Sequence, residues 1–250
     1  MNEWFRYIRS DFYKLWRSPF MILHIGFPVC GVGSVAFFAL VSKSGEVSKL
    51  AAFFQILAIV FPFAIGIACQ IVAEQEAKAG NFQNVLTLPH RIQSILSKLF
   101  ILLLFGWLSA IIAAALFAGL ISLTGVTHGR SFEVIVWIPT VIWGSNLWVY
   151  GFQYLAALRF GGNFCIAAGA VGSLLSALLQ TGLGTGIWFL IPYGFGVRFS
   201  EFALKRALGF TTVMDSEIKM GVLFCSLVTS VIMGVVVFWF SRYGGNCMAE

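Results

Sequence analysis

Six long apolar stretches constrain the fold of this chain more than any other feature of its sequence. Each is long enough to cross a bilayer, because one membrane span uses about 20 residues. Only 10% of the residues are charged and 59% are hydrophobic, whereas a soluble domain carries about 25% charged residues. We therefore predict an all-α polytopic membrane protein, a single transmembrane domain over residues 1–250 with six transmembrane helices at about 20–41, 50–73, 99–124, 134–158, 163–193 and 221–241.

The segment before the first span has the pattern of an amphipathic helix. On a helical wheel its apolar residues fall within an arc of about 120°, and they are Trp4, Phe5, Ile8, Phe12, Leu15 and Trp16. Basic residues occupy the opposite side. This combination is typical of a helix lying in the membrane interface, so we predict an N-terminal interfacial helix at residues 3–17. The alternative is an irregular basic leader that only orients the first span.

The distribution of basic residues predicts the orientation of the spans. With the N-terminus inside, nine of the sixteen Lys and Arg residues lie on cytoplasmic segments, and four of these directly precede the first span: Arg6, Arg9, Lys14 and Arg17. Basic residues beside the first span usually weigh most in setting orientation. Six spans would then place both termini in the cytoplasm of a multi-pass plasma-membrane protein.

Two connections are longer than simple turns. Residues 74–98 would be cytoplasmic and read EQEAKAGNFQNVLTLPHRIQSILSK, and residues 194–220 would be external. Aromatic residues of the external loop recur near helical spacing beside charged residues. A short helical pair dipping into the outer leaflet and an ordinary amphipathic loop both fit this pattern.

The sequence contains no pattern typical of an active site, a metal site or an ATP-binding site. Glu74 and Glu76 are two residues apart, so a helix would point them about 200° from each other. The five cysteines and three histidines show no metal-ligand spacing, and no P-loop motif is present. The net charge of +6 fits contact with anionic lipid better than nucleic-acid binding. We expect no catalytic residue, metal or cofactor in this chain.

Polar and small residues inside two spans form helix faces. Asn146, Tyr150 and Gln153 share one face of the fourth span. In the fifth span, Ser173 lies on one small-residue face, and Ser176 and Gln180 lie on another. In lipid such faces turn toward other helices or toward a wet cavity. Helix packing and a substrate path are therefore both open for these residues.

The loop at 74–98 carries the most specific pattern of the chain: an acidic pair, a glycine, a Leu-Pro-x-Arg step and a lysine that opens the next span. It resembles the first cytoplasmic loop of ABC-2 type (type V exporter-like) transporter permeases, and the matching residues are Glu74, Glu76, Gly80, Leu88, Pro89, Arg91 and Lys98. Residues 79–84, which include Asn81, Phe82, Gln83 and Asn84, together with residues 96–98, are similar to permeases of lantibiotic immunity transporters.

The resemblance implies a function and partners. Such a permease lacks its own ATPase, pairs with a second homologous permease and binds two copies of a nucleotide-binding subunit, which holds ATP and Mg. Together they would export lantibiotic peptides from the membrane of the producer and so confer immunity. The loop at 74–98 would then bind the ATPase subunit. The simpler interpretation of this loop is a solvated connector whose charges only fix topology.

Three rival functions remain at this stage. The first is an ABC-2 permease for another antibiotic or a lipid-like cargo. The second is a membrane immunity protein that sequesters the peptide without ATP, and a neighbouring gene for a P-loop ATPase would argue against it. The third, an intramembrane enzyme, lacks any candidate catalytic pair.

Overall fold

The computed structural model describes residues 3–42, 44–78, 91–123, 131–210 and 216–242, and these residues are helical with no strand among them. A π-helical turn at Glu133–Trp137 and two 3₁₀ turns at Gly182–Gly184 and Trp188–Leu190 accompany nine α-helices of the described segments. These are α1 Glu3–Trp16, α2 Pro19–Val41, α3 Glu46–Lys78, α4 Arg91–Ser122, α5 Ile138–Ser145, α6 Leu147–Phe160, α7 Gly162–Gln180, α8 Gly194–Ala207 and α9 Ser216–Ser241.

Five described helices are long and apolar enough to cross a membrane, namely α2, α3, α4, α7 and α9. Residues 133–160 add a sixth span if the bent helical segment made by Glu133–Ser145 and α6 crosses as one unit. The all-α polytopic fold is therefore confirmed, and five to six candidate spans agree with the six predicted.

The fourth predicted span bends by 47° at Asn146, between α5 and α6. The Asn146 backbone N–H donates to the Trp143 carbonyl oxygen at 3.0 Å, one residue short of the α-helical partner. The Asn146 side-chain Nδ2 donates to the Ile142 carbonyl oxygen at 2.8 Å. The Ile142 carbonyl oxygen, which the Asn146 N–H would bond in a regular α-helix, thus accepts from the Asn146 side chain instead. This hydrogen bond stabilises the bend.

The fifth predicted span, 163–193, is longer than the helix that forms there. Helix α7 ends at Gln180, and Thr181 has an extended backbone. Gly182, Gly184 and Gly186 follow, and Gly186 has a φ of +79° that favours glycine. The apolar stretch therefore contains a helix end and two 3₁₀ turns, so its length overestimated the span.

Residues 194–207, assigned to the external loop, form helix α8 with one side buried in the bundle. A Cβ added at Gly196 would lie 3.0 Å from Asn146 Nδ2, so α8 packs directly on the bend of the fourth span. Arg198 links α8 to the end of α7, because its Nε donates to the Leu179 carbonyl oxygen at 3.1 Å. The described parts of this loop, residues 194–210 and 216–220, contain one packed helix, α8, and the start of α9, and so form neither a helical pair nor an ordinary exposed loop.

Helices α6 and α7 are joined by Gly161 alone. Its φ of 87° lies in the region that only glycine adopts without strain, and its N–H donates to the Ala157 carbonyl oxygen at 3.1 Å. This tight reversal brings α7 back along α3, and α3 and α7 form the most extensive contact among the described helices.

Candidate functional site: the α1–α3–α4 ion cluster

Helix α1 lies against the ends of α3 and α4 that flank residues 79–90. A helix forms at Glu3–Trp16, where the sequence predicts an interfacial helix at 3–17. Ser18 ends it and starts α2: the Ser18 Oγ donates to the Leu15 carbonyl oxygen at 2.8 Å and accepts from the Phe20 N–H at 3.2 Å. Proline at the first position of α2 suits this N-cap. Ser18 therefore forms an elbow that joins α1 closely to the first span, α2.

The apolar arc of α1 is divided between the protein and its surroundings. Leu15 is buried against the bundle, and Trp4 and Ile8 are half-buried. Phe5 is 65% exposed and Trp16 is 57% exposed. Phe12 is partly exposed and contacts Phe105 of α4, with 6.0 Å between the ring centroids. The exposed aromatic residues leave α1 with an apolar surface outside the bundle, as expected of an interfacial helix.

Three charged side chains from α1, α3 and α4 form a buried ion cluster. The Lys98 Nζ lies 2.6 Å from Asp11 Oδ1 and 3.0 Å from Glu76 Oε1. The hydroxyl of Ser97 donates to the second carboxylate oxygen of Asp11. Asp11, Glu76, Ser97 and Lys98 are all buried. We call these four residues, with Lys14, the ion cluster.

Lys14 completes the ion cluster from the solvent side. Its Nζ lies 3.4 Å from Glu76 Oε1, and its side chain is 43% exposed. The two lysines balance the two carboxylates, so the ion cluster is electrically neutral. Gln75 adds a neighbouring link from α3 to α1, because its Nε2 donates to the Lys14 carbonyl oxygen at 2.9 Å. Helix α1 is thus bound to both helices that flank residues 79–90.

Glu74 and Glu76 have different surroundings, as their spacing predicts. Glu76 points into the ion cluster, whereas Glu74 bonds only within its own helix among the described residues. Gln70 Nε2 donates to Glu74 at 2.6 Å, and Lys78 Nζ donates to it at 3.2 Å. Glu74 is partly exposed, so its pairing with Lys78 contributes little to stability.

Residues 79–90, nearly half of the predicted coupling loop, lie outside the described residues. This applies to Gly80, Asn81, Phe82, Gln83, Asn84, Leu88 and Pro89, whose assignment stays a prediction. Arg91 begins α4, so the last part of the predicted loop is already helical. Of the predicted loop residues, the structure brings Glu76 and Lys98 together, with Glu74 on another face of α3.

The polar face of the fourth span packs against other helices. Gln153 is buried, and its Nε2 donates to the Pro62 carbonyl oxygen of α3 at 3.1 Å. A Cβ added at Gly66 would lie 2.9 Å from Gln153 Oε1. Tyr150 is buried over Gly106 of α4. A Cβ added at Gly106 would clash with the Tyr150 side chain. Asn146, Tyr150 and Gln153 therefore make helix contacts, and all three are buried.

The small-residue faces of α7 pack in the same way. The Ser176 hydroxyl lies 2.9 Å from the carbonyl oxygens of both Gly172 and Tyr193. A Cβ added at Gly172 would lie 2.3 Å from the Tyr193 ring, so this glycine permits the contact. Ser173 Oγ and Gln180 Oε1 are buried without a hydrogen-bond partner among the described residues. Ser173, Ser176 and Gln180 line none of the four best-formed cavities of the described residues.

The sequence analysis gave no site role to two charged members of the ion cluster, Asp11 and Lys14. Asp11 stands at the edge of the apolar arc of α1, beside Leu15 on the helical wheel, and an acidic residue there was the available signal. Its partner Lys98 is 87 residues away in sequence. No local pattern could identify that pairing.

Comparison with known proteins identifies the family. Residues 7–150, more than half of the chain, match the family model described as ABC-2 family transporter protein. Neither the curated proteins nor the solved structures that were compared give a match. The matched region contains most of α1, all of α2 to α5 and the whole ion cluster. The chain therefore belongs to the ABC-2 transporter family and is a membrane permease component of such a transporter.

Proposed function

We propose that this permease exports lantibiotic peptides from the bilayer to the outside and so protects the producing cell. Family membership implies an ABC ATPase subunit as partner. The finer assignment is supported by the pattern at residues 79–84 and 96–98, which resembles permeases of lantibiotic immunity transporters. In this proposal the chain is in the bacterial plasma membrane with both termini in the cytoplasm.

The complete transporter would contain three kinds of chain. Two copies of the ATPase subunit would hold ATP and Mg, and a second homologous permease would pair with this one. The loop at 74–98 would bind the ATPase subunit, with Phe82, Leu88 and Pro89 as apolar anchors and Arg91 at the rim. A few well-packed residues usually supply most of the binding energy of such an interface.

The ion cluster is the observation that carries the mechanism. Glu76 is two residues from the end of α3, and Lys98 lies two turns into α4, so both stand close to the ends of residues 79–90. Asp11 joins them to α1. A displacement of residues 79–90 by the ATPase would move the ends of α3 and α4, and the ion cluster would carry that motion into α1.

The elbow at Ser18 then extends the motion from α1 to α2. Because Ser18 bonds to both helices, a tilt of α1 changes the position of the first span. The exposed aromatic residues Phe5 and Trp16 would keep α1 at the membrane surface during this movement. An amphipathic, cationic peptide would enter from the lipid, which suits a bundle without a polar channel among its described helices.

The test measures peptide release and subunit binding in the same cells. The permease is expressed with the ATPase subunit and second permease of its own gene cluster, in a strain sensitive to the lantibiotic of that cluster. We expect Phe82→Ala and Arg91→Glu to reach the membrane normally but to release no peptide, and Arg91→Glu to copurify less ATPase. The double variant Asp11→Asn with Lys98→Met should still copurify ATPase but release at least tenfold less peptide.

Lys205→Met provides the matched control, because Lys205 is exposed and pairs only with Glu201 of its own helix among the described residues. It should release peptide at the wild-type rate. Peptide protection that persists with an ATPase unable to hydrolyse ATP would refute export and favour sequestration. ATP-dependent transport of another cargo without lantibiotic protection would refute the peptide assignment alone.

A further inference from the structure

A groove opens sideways between α2, α3 and α4. Its volume is about 270 Å³, and its walls are formed by residues 27–35 of α2, 53–64 of α3 and 109–113 of α4. A smaller pocket of about 30 Å³ shares Phe27, Phe61, Ala64 and Ser109 with it. None of the residues discussed for the ion cluster lines this groove.

The groove lies at the depth of the hydrocarbon. Residues 27–35 occupy the middle of α2, which runs from Pro19 to Val41. With a rise of 1.5 Å per residue, the groove starts roughly 12 Å from the beginning of the span. The medium at that depth of a bilayer about 30 Å thick is hydrocarbon. Whatever enters the groove from the side comes from the membrane.

The polar groups of the groove are already bonded within the protein. Ser34 Oγ donates to the Cys30 carbonyl oxygen at 3.0 Å, and Ser109 Oγ donates to the His24 carbonyl oxygen at 3.0 Å. No charged side chain is among the lining residues. A polar ligand would lose its hydration here without gaining partners, so the chemistry of the groove selects a hydrocarbon chain.

Small residues on α2 and α4 leave the space open. A Cβ added at Gly31 would contact nothing within 4 Å, and Ala110 and Ala113 form the opposing wall. On the third side, Phe53 is stacked on Phe117 with 4.0 Å between the ring centroids. Small residues in membrane helices usually let helices approach closely, but Gly31 faces open space.

We propose that this groove binds one acyl chain of a bilayer phospholipid. A chain lying there would contact Phe27, Phe61 and the backbone at Gly31, and would supply the dispersion contacts that these wall residues lack. It would also fill the space between α2 and α3. Helix α2 is the span joined to α1, and α3 is the span that carries Glu76. The site is independent of the cargo of the transporter.

Photo-crosslinking of the full-length permease tests the proposal. The chain is reconstituted in phosphatidylglycerol nanodiscs with a trace of phosphatidylcholine that bears a diazirine at the middle of one acyl chain. Adducts are mapped by mass spectrometry. We expect residues 27–35 and 53–64 to carry at least threefold more adduct than the lipid-exposed residues of α9, such as Val222, Leu227 and Val231.

Filling the groove should remove this preference. Gly31→Phe is expected to lower the adducts on residues 53–64 at least threefold. Gly33→Phe is the matched control, because Gly33 is on the same helix, has nothing within 4 Å of an added Cβ and does not line the groove. Its adducts should equal those of the wild type. Ala113→Leu gives a second, smaller filling variant.

Two results would overturn the proposal. The first is an even spread of adducts over all lipid-exposed helices of the wild type, which needs no variant to interpret. The second is the absence of groove adducts together with cross-linking of Cys30 between two chains by a membrane-permeant bismaleimide, because a second copy would then occupy the groove. Cys30 is exposed and lines the groove, so it reports directly on this outcome.

Discussion

Lys98 is the residue at which three distant parts of the chain meet. Its side chain is 3% exposed, and its ammonium group contacts carboxylates of α1 and α3. A buried lysine needs such partners, because removing an unpaired charge from water is costly. Replacing one member of a buried ion pair leaves the remaining charge without compensation.

We therefore predict that Lys98→Met destabilises the permease strongly. The loss should be about 3–5 kcal/mol, since two carboxylates would be left with only Lys14. Thermal unfolding of the detergent-purified protein measures this as a fall in Tm of about 10 °C. Lys78→Met is the control, because Lys78 is 79% exposed and pairs only with Glu74 among the described residues; it should leave Tm within 2 °C of the wild type.

A second substitution tests whether the fall in Tm comes from the unbalanced charge or from the changed side-chain volume. Adding Asp11→Asn to Lys98→Met removes one carboxylate and restores charge balance between Glu76 and Lys14. The double variant should regain part of the Tm lost by Lys98→Met alone. Equal Tm values for Lys98→Met and Lys78→Met would show that the ion cluster contributes no stability.

At the scale of elements, α1 is held by two different surfaces. Its inner side contributes Asp11 and Leu15 to the bundle, and its outer side exposes Phe5, Phe12 and Trp16. The ion cluster fixes where α1 lies against α3 and α4. The exposed aromatic residues add an apolar surface whose burial in the interface depends on the membrane.

Replacing Phe5, Phe12 and Trp16 with Ser should release α1 from the membrane surface while the spans still insert. Each aromatic residue contributes roughly 2–3 kcal/mol at about 25 cal/mol per Å². Limited trypsin digestion in nanodiscs checks this, since Arg6, Arg9 and Lys14 provide cleavage sites on α1. We expect cleavage in α1 to become at least tenfold faster.

Tyr13→Ser is the control for this digestion. Tyr13 is 60% exposed and stands beside Arg9 on the basic side of α1. Its replacement should leave the cleavage rate nearly unchanged. An unchanged rate in the triple variant as well would mean that the ion cluster alone holds α1.

The element that the sequence misrepresents is the fifth span. Hydropathy depends only on how apolar the residues are, so it does not show that the helix ends at Thr181, Gly182 and Gly186. The chain continues to be apolar because one side of residues 188–207 packs against the bundle, with Trp188, Phe195 and Phe199 buried. An apolar stretch therefore marks burial, whether in lipid or in protein, and cannot alone separate a span from a packed helix.

At the scale of the whole molecule, helix count and loop placement predict where the C-terminus lies. If residues 133–160 cross as one unit, six spans return the end of the chain to the side of α1. An impermeant maleimide should then label Cys247 in inside-out vesicles and not in intact cells. The described cysteines 69, 165 and 225 are buried, and Cys30 lies deep within α2, so they should not interfere.

Cys247→Ser is the matched control and should abolish labelling in both preparations. Labelling of the wild type in intact cells would require an odd number of spans. In that case the bent segment at residues 133–160 would be the first candidate for a re-entrant loop.

The sequence by itself determined the fold class, the approximate positions of most spans and the amphipathic helix α1. These depend on hydrophobic periodicity and on the polarity of lipid, which act locally along the chain. It also placed Glu76 and Lys98 at the two ends of the loop that resembles the family pattern. It left Asn146, Tyr150 and Gln153 open between packing and a substrate path.

Only the tertiary structure decided which of these residues meet. The pairing of Asp11 with Lys98, the contact of Gln153 with Pro62 and the packing of α8 on Asn146 each join residues far apart in sequence. Such contacts depend on how whole helices pack, because burial makes a polar group stable only where a partner is within hydrogen-bond distance. A local sequence pattern cannot identify a partner that is distant in the sequence.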